Sequence, residues 1–170
     1  PKYLPGLIAL LRAVKLLDSS ISVTVIGIEE TLVPEGLRGP DVKFLGYLNK
    51  SINSQNKLYY STVNSAKLFV NTNPEWASFS ATLDVMYHYT PIITARYRSF
   101  VQTFGEKINF GEYSENDPEM LSKYIKCIFA LNFSEYSNVC RSARQAVEPF
   151  TWKKYTQKLF KHLKTTNVIK

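Results

Sequence analysis

Apolar positions along this chain switch repeatedly between a helical and a strand-like period, and the switches mark the elements. Residues 5–17 (PGLIALLRAVKLL) carry apolar side chains at helical spacing, and Pro5 sits in the first turn, where its missing N–H is not needed. Ser22 to Gly27 is a β-branched run closed by glycine and predicts a buried strand. A loop with Pro34, Gly36, Gly39 and Pro40 follows. Val42 to Gly46 predicts a short strand, Ser54 to Ala66 a helix with Leu58, Tyr59 and Val63 facing inward, and Lys67 to Asn71 another strand. Ser78 to Tyr89 reads as a helix, then Pro91 to Thr94 and Lys107 to Phe110 as strands. Asp117-Pro118-Glu119 opens a helix with an N-cap and a proline at its first position. Helices over Ser134–Val147 and Thr151–Lys164, parted by Pro149, complete the pattern.

Strands separated by helices predict right-handed βαβ units. The expected fold is therefore α/β, a Rossmann-like parallel sheet of about five or six strands with helices on both faces. It should form a single domain over residues 1–170. A doubly wound domain ordinarily opens with a strand, whereas this pattern opens with a helix. The expectation is a fragment of a two-domain enzyme, its first strand absent or supplied by another part of the protein.

Apolar residues make up 45% of the chain and aromatics 14%, which excludes a disordered segment. No apolar run is long enough to span a bilayer, and no signal peptide is visible. Cys127 and Cys140 fall in helical patterns without metal-ligand spacing, so both are expected to be buried thiols in a reducing, cytoplasmic compartment. His88 and His162 show no triad or metal pattern, and no metal is expected. Residues 141–170 hold eight basic side chains and one acidic one, Glu148, and so account for the whole formal charge of +7.

Residues 71–94 carry the densest chemistry. They read as a strand, a tight polar loop, a helix and a second strand, with small residues where the helix begins. Such a loop offers free backbone N–H groups and the positive helix end to a phosphate. Asp84, about two turns into the helix, can accept hydrogen bonds from a sugar hydroxyl. The combination suits a nucleotide-sugar and points to glycosyl transfer.

The order of the pieces resembles the C-terminal, donor-binding domain of retaining glycosyltransferases of the GT-B fold, family four in particular. The resemblance runs through Lys2 before the first helix, Val23–Gly27, the Val42-Lys43-Phe44-Leu45-Gly46-Tyr47 strand end, Leu58-Tyr59 to Phe69-Val70, Thr90-Pro91-Ile92-Ile93 and Phe150-Thr151-Trp152. Asp84 stands where the family carries its second glutamate. Counting back eight positions gives Trp76, beside Glu75, and Ala77-Ser78-Phe79-Ser80 replaces the family's Gly-Phe-Gly loop. The resemblance implies that the amides of Trp76, Ala77, Ser78, Phe79 and Ser80 bind the diphosphate of a UDP- or GDP-sugar. It implies that Asp84 holds the ribose, that Tyr47 lies against the base, that Glu75 meets the sugar and that Lys2 neutralises the leaving diphosphate. No separate cofactor is needed, and acceptors would bind an N-terminal domain outside this chain.

On the last predicted helix Trp152, Tyr155, Leu159 and Leu163 form one stripe, with Lys153, Lys154, Lys158, Lys161 and Lys164 outside it. The plain expectation is that the stripe packs on the core. The sharper one is that residues 151–164 meet an anionic membrane at its inner face. No nucleic-acid motif accompanies the charge. The competing functional classes are a non-catalytic Rossmann-like assembly or regulatory module and a GT-B-like sugar-nucleotide epimerase.

Overall fold

The computed structural model describes residues 3–17, 21–72 and 79–165. Its elements run α1 (Leu4–Lys15), β1 (Val23–Val25), β2 (Val42–Phe44), α2 (Asn53–Ser65), β3 (Phe69–Asn71), α3 (Phe79–Tyr87), β4 (Ile92–Thr94), α4 (Arg98–Phe104), β5 (Gly111–Tyr113), α5 (Pro118–Phe129), α6 (Phe133–Val147) and α7 (Trp152–Thr165). Short 3-10 turns at Glu30–Leu32, Glu35–Leu37 and Glu148–Phe150 complete it. The fold is α/β and Rossmann-like. Among the described residues five strands form two small parallel sheets, β1–β2 and β3–β4–β5, where the sequence pattern predicts a single sheet.

Helices cover the sheets on two faces, and strand alternation divides the side chains between them. On one face, Leu7 and Leu11 of α1 pack with Val23, Val25, Val33, Leu37, Val42 and Phe44. Ala9, Leu10 and Ala13 of the same helix pack with Val70, Ile93 and the α5 residues Leu121 and Ile125. On the other face, Tyr59, Val63, Val85, Met86, Phe100, Ala143 and Val147 from α2, α3, α4 and α6 meet Phe69 and Ile92 of the second sheet, together with Ile26 and Leu45 just beyond β1 and β2.

Local chemistry sets the helix ends. The Asp117 carboxylate accepts from the Met120 N–H at 2.9 Å and Pro118 follows it, so α5 starts as predicted. Asn132 and Glu135 exchange side-chain-to-backbone bonds at 3.0 Å in a capping box that opens α6. At the end of α3, Tyr89 takes a left-handed backbone (φ 63°), and Thr90 N–H closes back on Val85 C=O at 3.1 Å. Arg144 of α6 donates to the last carbonyl of α3, Tyr87, at 2.6 Å and lies 3.3 Å above the Tyr87 ring centroid. A cation at a helix C-terminus is favourably placed against the helix dipole.

Three sequence expectations move. The strand expected at Lys107–Phe110 forms at Gly111–Tyr113 instead. Phe110 turns into the aromatic core, and Gly111 comes so close to β4 that an added Cβ would lie 1.8 Å from the Ile92 carbonyl oxygen. Helix α7 does not pack on the core: none of its residues is buried, and Trp152 is 82% exposed. Of the thiols expected to be buried, Cys127 is exposed and Cys140 half-buried. Burial pushes the Cys140 thiol up, against a lowering hydrogen bond from Tyr136.

Gly6 marks the closest approach of α1 to the second sheet. A Cβ there would lie 2.2 Å from the Thr72 carbonyl oxygen and 2.9 Å from Asn116 Nδ2. Alanine is favoured over glycine in helices by about 1 kcal/mol, but overpacking costs about 1–3 kcal/mol and here the obstacle is backbone. Gly6→Ala should therefore lower the unfolding free energy in a urea titration by up to about 2 kcal/mol. A rise would show that α1 can shift freely from the end of β3.

Candidate functional site

In open parallel sheets the carboxyl ends of the strands form the binding edge, because connections leave there and helix N-termini point at it. At this edge β3 ends at Asn71, and α3 begins at Phe79. Residues 73–78 between them, and therefore the expected Glu75, Trp76, Ala77 and Ser78, lie outside the described residues, as does Lys2. The flanks are well anchored. Asn71 Nδ2 donates to Thr82 Oγ1 at 3.2 Å, tying the end of β3 to the first turns of α3. Thr72 C=O accepts from Asn116 Nδ2 at 2.7 Å, which draws in the segment after β5. With Gly6 packed on the same carbonyl, the start of α1 and the end of β3 share one corner.

Of the described candidates, Phe79 turns inward. Its ring lies 6.4, 5.8 and 6.3 Å from the ring centroids of Tyr97, Phe100 and Phe104. Only its backbone is left to face a ligand. Ser80 is exposed on the first turn of α3. Tyr47, directly after Gly46 at the carboxyl end of β2, is 78% exposed, so it is a surface aromatic and not a packed core residue. Gly27 donates to Gly46 C=O at 2.7 Å, both with positive φ, and this bond holds the two turns together where β1 and β2 end.

Asp84 already has partners. Lys50 Nζ lies 2.6 Å from Asp84 Oδ2, and Tyr59 Oη donates to the same oxygen at 3.3 Å. The Lys50 ammonium also sits 3.8 Å above the Tyr59 ring centroid, a cation–π contact. Burial alone would lower the Lys50 pKa, but the hydrogen bond to Asp84 and neighbouring negative charge outweigh it and leave it raised. The Tyr59 phenol is pushed up, first by burial and then by the Asp84 charge. The pair is half exposed, so its own stabilising effect is about 0–1 kcal/mol. Its consequence is chemical: a carboxylate, an ammonium and a phenol converge, able to offer acceptor and donor together to a polar ligand.

Two groups that the sequence reading passed over lie at the carboxyl end of β4. Thr94 Oγ1 and Tyr97 Oη are buried near each other, and neither makes a well-formed hydrogen bond. Thr94 is fully buried and Tyr97 8% exposed. Burial, followed by neighbouring Tyr113, pushes the Tyr97 phenol up to about 12 against a lowering interaction with the Thr94 hydroxyl, so it is a neutral donor at physiological pH. Buried polar groups are nearly always satisfied, and one that is not has lost its hydration without compensation. Through its contact with Phe79, Tyr97 reaches the beginning of α3. In sequence these residues looked like the end of a strand and part of an unassigned loop. Nothing in residue type alone distinguished them.

Grooves of about 400 and 430 Å³ lie between α1 and α5, lined by Leu16, Glu119, Lys123 and their neighbours. Neither includes a strand-end residue named above, and neither concentrates polar groups as the strand edge does. Among the described residues no group of three or more His, Cys, Asp and Glu side chains could hold a metal ion. No helix of the described chain is long and apolar enough to cross a membrane. No protein-family model matches the sequence, and no curated protein matches it.

Proposed function

We propose that this chain binds a nucleoside diphosphate sugar at the carboxyl edge of its strands and is the donor-binding half of a retaining glycosyltransferase. The observation that carries the reading is the pair of buried hydroxyls of Thr94 and Tyr97, which have only each other to interact with, beside the start of α3. A diphosphate or sugar oxygen reaching them would receive the hydrogen bonds they lack, and the helix start adds N–H donors and a positive dipole end. In this reading residues 76–80 cradle the diphosphate and Asp84 takes ribose hydroxyls. Tyr47 flanks the base, Glu75 meets the sugar, and Lys2 offsets charge on the leaving group. The sugar–phosphate bond loosens and the acceptor hydroxyl attacks from the same face, its proton passing to the departing diphosphate. A second, acceptor-binding domain completes the enzyme.

The closed Lys50–Asp84–Tyr59 cluster specifically favours the other reading, a non-catalytic module in which Asp84 serves only to join α3 to the loop before α2. Calorimetric titration with UDP and GDP separates the two. The donor-binding reading predicts binding that Asp84→Ala weakens by about 1–3 kcal/mol, as for loss of a charged hydrogen-bond partner. Tyr97→Phe should weaken it by about 1 kcal/mol while changing thermal stability little, because the deleted hydroxyl has only a poorly formed contact with Thr94 to lose. Absence of binding by the intact chain, or variants that bind as well as it does, would favour the module.

The enzyme is further proposed to work in the cytoplasm at the inner face of a membrane, held there by α7. That helix leaves Trp152, Tyr155, Leu159 and Phe160 exposed and carries five lysines. An amphipathic helix of this composition lies in the plane of an anionic lipid surface. Each basic residue near such a surface contributes about 1 kcal/mol. Changing Lys153, Lys154, Lys158 and Lys161 to Gln should abolish co-sedimentation with phosphatidylserine vesicles at low salt. Equal sedimentation of variant and parent would contradict membrane docking.

A further inference from the structure

We infer that the channel between α1 and α5 is a docking site for an acidic amphipathic helix of a partner protein. The last turn of α1 lies against the first turns of α5. The two grooves there, about 400 and 430 Å³, share Leu16 and Glu119 and so form one continuous channel. It follows α5 from Pro118 to Cys127, about 14 Å at 1.5 Å per residue, which is the length of two to three helical turns. Its apolar centre is Leu16, 51% exposed although Leu10 and Leu11 of the preceding helix are buried. Pro118 and the exposed thiol of Cys127 extend that apolar ground towards the two ends. Met120, seven residues before Cys127 and so on the same side of α5, is exposed as well.

Charge stands along the rims of the channel instead of gathering at one point. Arg12 and Lys15 border it from α1, and Lys123 and Lys126 from α5, against Asp117 and Glu119. Asp117 is engaged in capping the Met120 N–H, and Lys15 donates to the Gly36 carbonyl. Arg12, Lys123 and Lys126 form an ion pair with no described carboxylate. The positive excess is local, because residues 141–170 hold the whole formal charge of +7 and the rest of the chain is balanced. Apolar ground between separated cations fits a helix whose leucines cover Leu16 and whose glutamates reach the two rims. A second copy of the chain would bring the same positive excess to the same place. A vesicle presents a broad surface that cannot enter a channel between two helices. Helices α1 and α5 also lie on the sheet face opposite α6, which leads into α7, so membrane contact through α7 does not use this face.

The inference stands apart from the glycosyltransferase reading, since none of the strand-end candidate residues lines the channel. The probe is the peptide acetyl-Glu-Glu-Leu-Leu-Glu-Ala-Leu-Glu-Glu-Leu-Leu-Glu-amide, set against a peptide of the same composition with its leucines scattered. NMR of the labelled 170-residue chain should show shifts at the Leu16, Lys123 and Cys127 amides on adding the first peptide. Alkylation of Cys127 by iodoacetamide, followed by mass spectrometry, should slow about fivefold at a peptide concentration four times its Kd, with half-buried Cys140 as the internal control. Lys123→Glu with Lys126→Glu should weaken binding roughly tenfold, as two attractions become two repulsions. The same reversal at exposed Lys57 and Lys67, away from the channel, should change it little. Shifts confined to α7, equal binding by the scattered peptide, equal loss from the two reversals, or unprotected Cys127 at saturating peptide would each overturn the proposal. Self-association of the free chain that shields Cys127 would also overturn it, by making a second copy the occupant.

Discussion

Helix α1 is the element on which the rest depends. No strand-to-strand ladder joins the two sheets, so nothing in the described backbone fixes one against the other on that face except this helix. One side of it buries Leu7 and Leu11 on the β1–β2 pair, and the adjoining side buries Leu10 and Ala13 against Val70, Ile93 and α5. Each buried leucine contributes about 1.5–3 kcal/mol, enough in sum to hold two small sheets in one layer. The position of the helix along the strands is set at Gly6, whose missing side chain admits the Thr72 carbonyl. The aromatic face below, centred on Phe79, Phe100, Phe104 and Phe110, completes the clamp from the other side.

The same clamp gathers the candidate site. Because α1 begins where β3 ends, the chain segments leaving β3, β4 and β5 converge on one corner, through Asn71, Thr94 and Asn116. One feature of this corner costs stability, the poorly bonded hydroxyls of Thr94 and Tyr97. A second, Asp84 on α3, is already satisfied by Lys50 and Tyr59 in a form that a competing hydroxyl would have to enter or displace. The first suggests a site prepared for polar atoms. The second sets a cost for using Asp84, so the two together describe a site whose affinity would depend on how readily Lys50 swings aside. The exposed stripe of α7 lies outside this clamp altogether.

Alternation of period made most elements legible, because amphipathic helices such as α5 bury the residues their spacing marks, while the β-branched run at Val23–Val25 forms its strand but buries only Val25. Local caps were equally readable, as at Asp117. Four features were not. β5 was placed early because Ile108 and Phe110 have strand character, yet it is Gly111 that can approach β4. Helix α4 went unseen because Tyr97, Phe100 and Phe104 pack as an aromatic cluster, a tertiary effect with little local signature. The Lys50–Asp84 pairing joins residues 34 positions apart, and the unsatisfied state of Thr94 and Tyr97 is a property of burial, which spacing does not encode. Asp84 was recognised as a candidate; its engagement was not.

The central claim is that α1 makes the two sheets one cooperative unit. Native-state hydrogen exchange across a denaturant series reads this at the β2 amides of Val42–Phe44 and the β4 amides of Ile92–Thr94. If α1 unites the sheets, both sets converge on one opening free energy, and Leu11→Ala lowers both together. If the β1–β2 pair opened at a distinctly lower free energy than β4, and Leu11→Ala lowered only that pair, the sheets would be independent and the account contradicted.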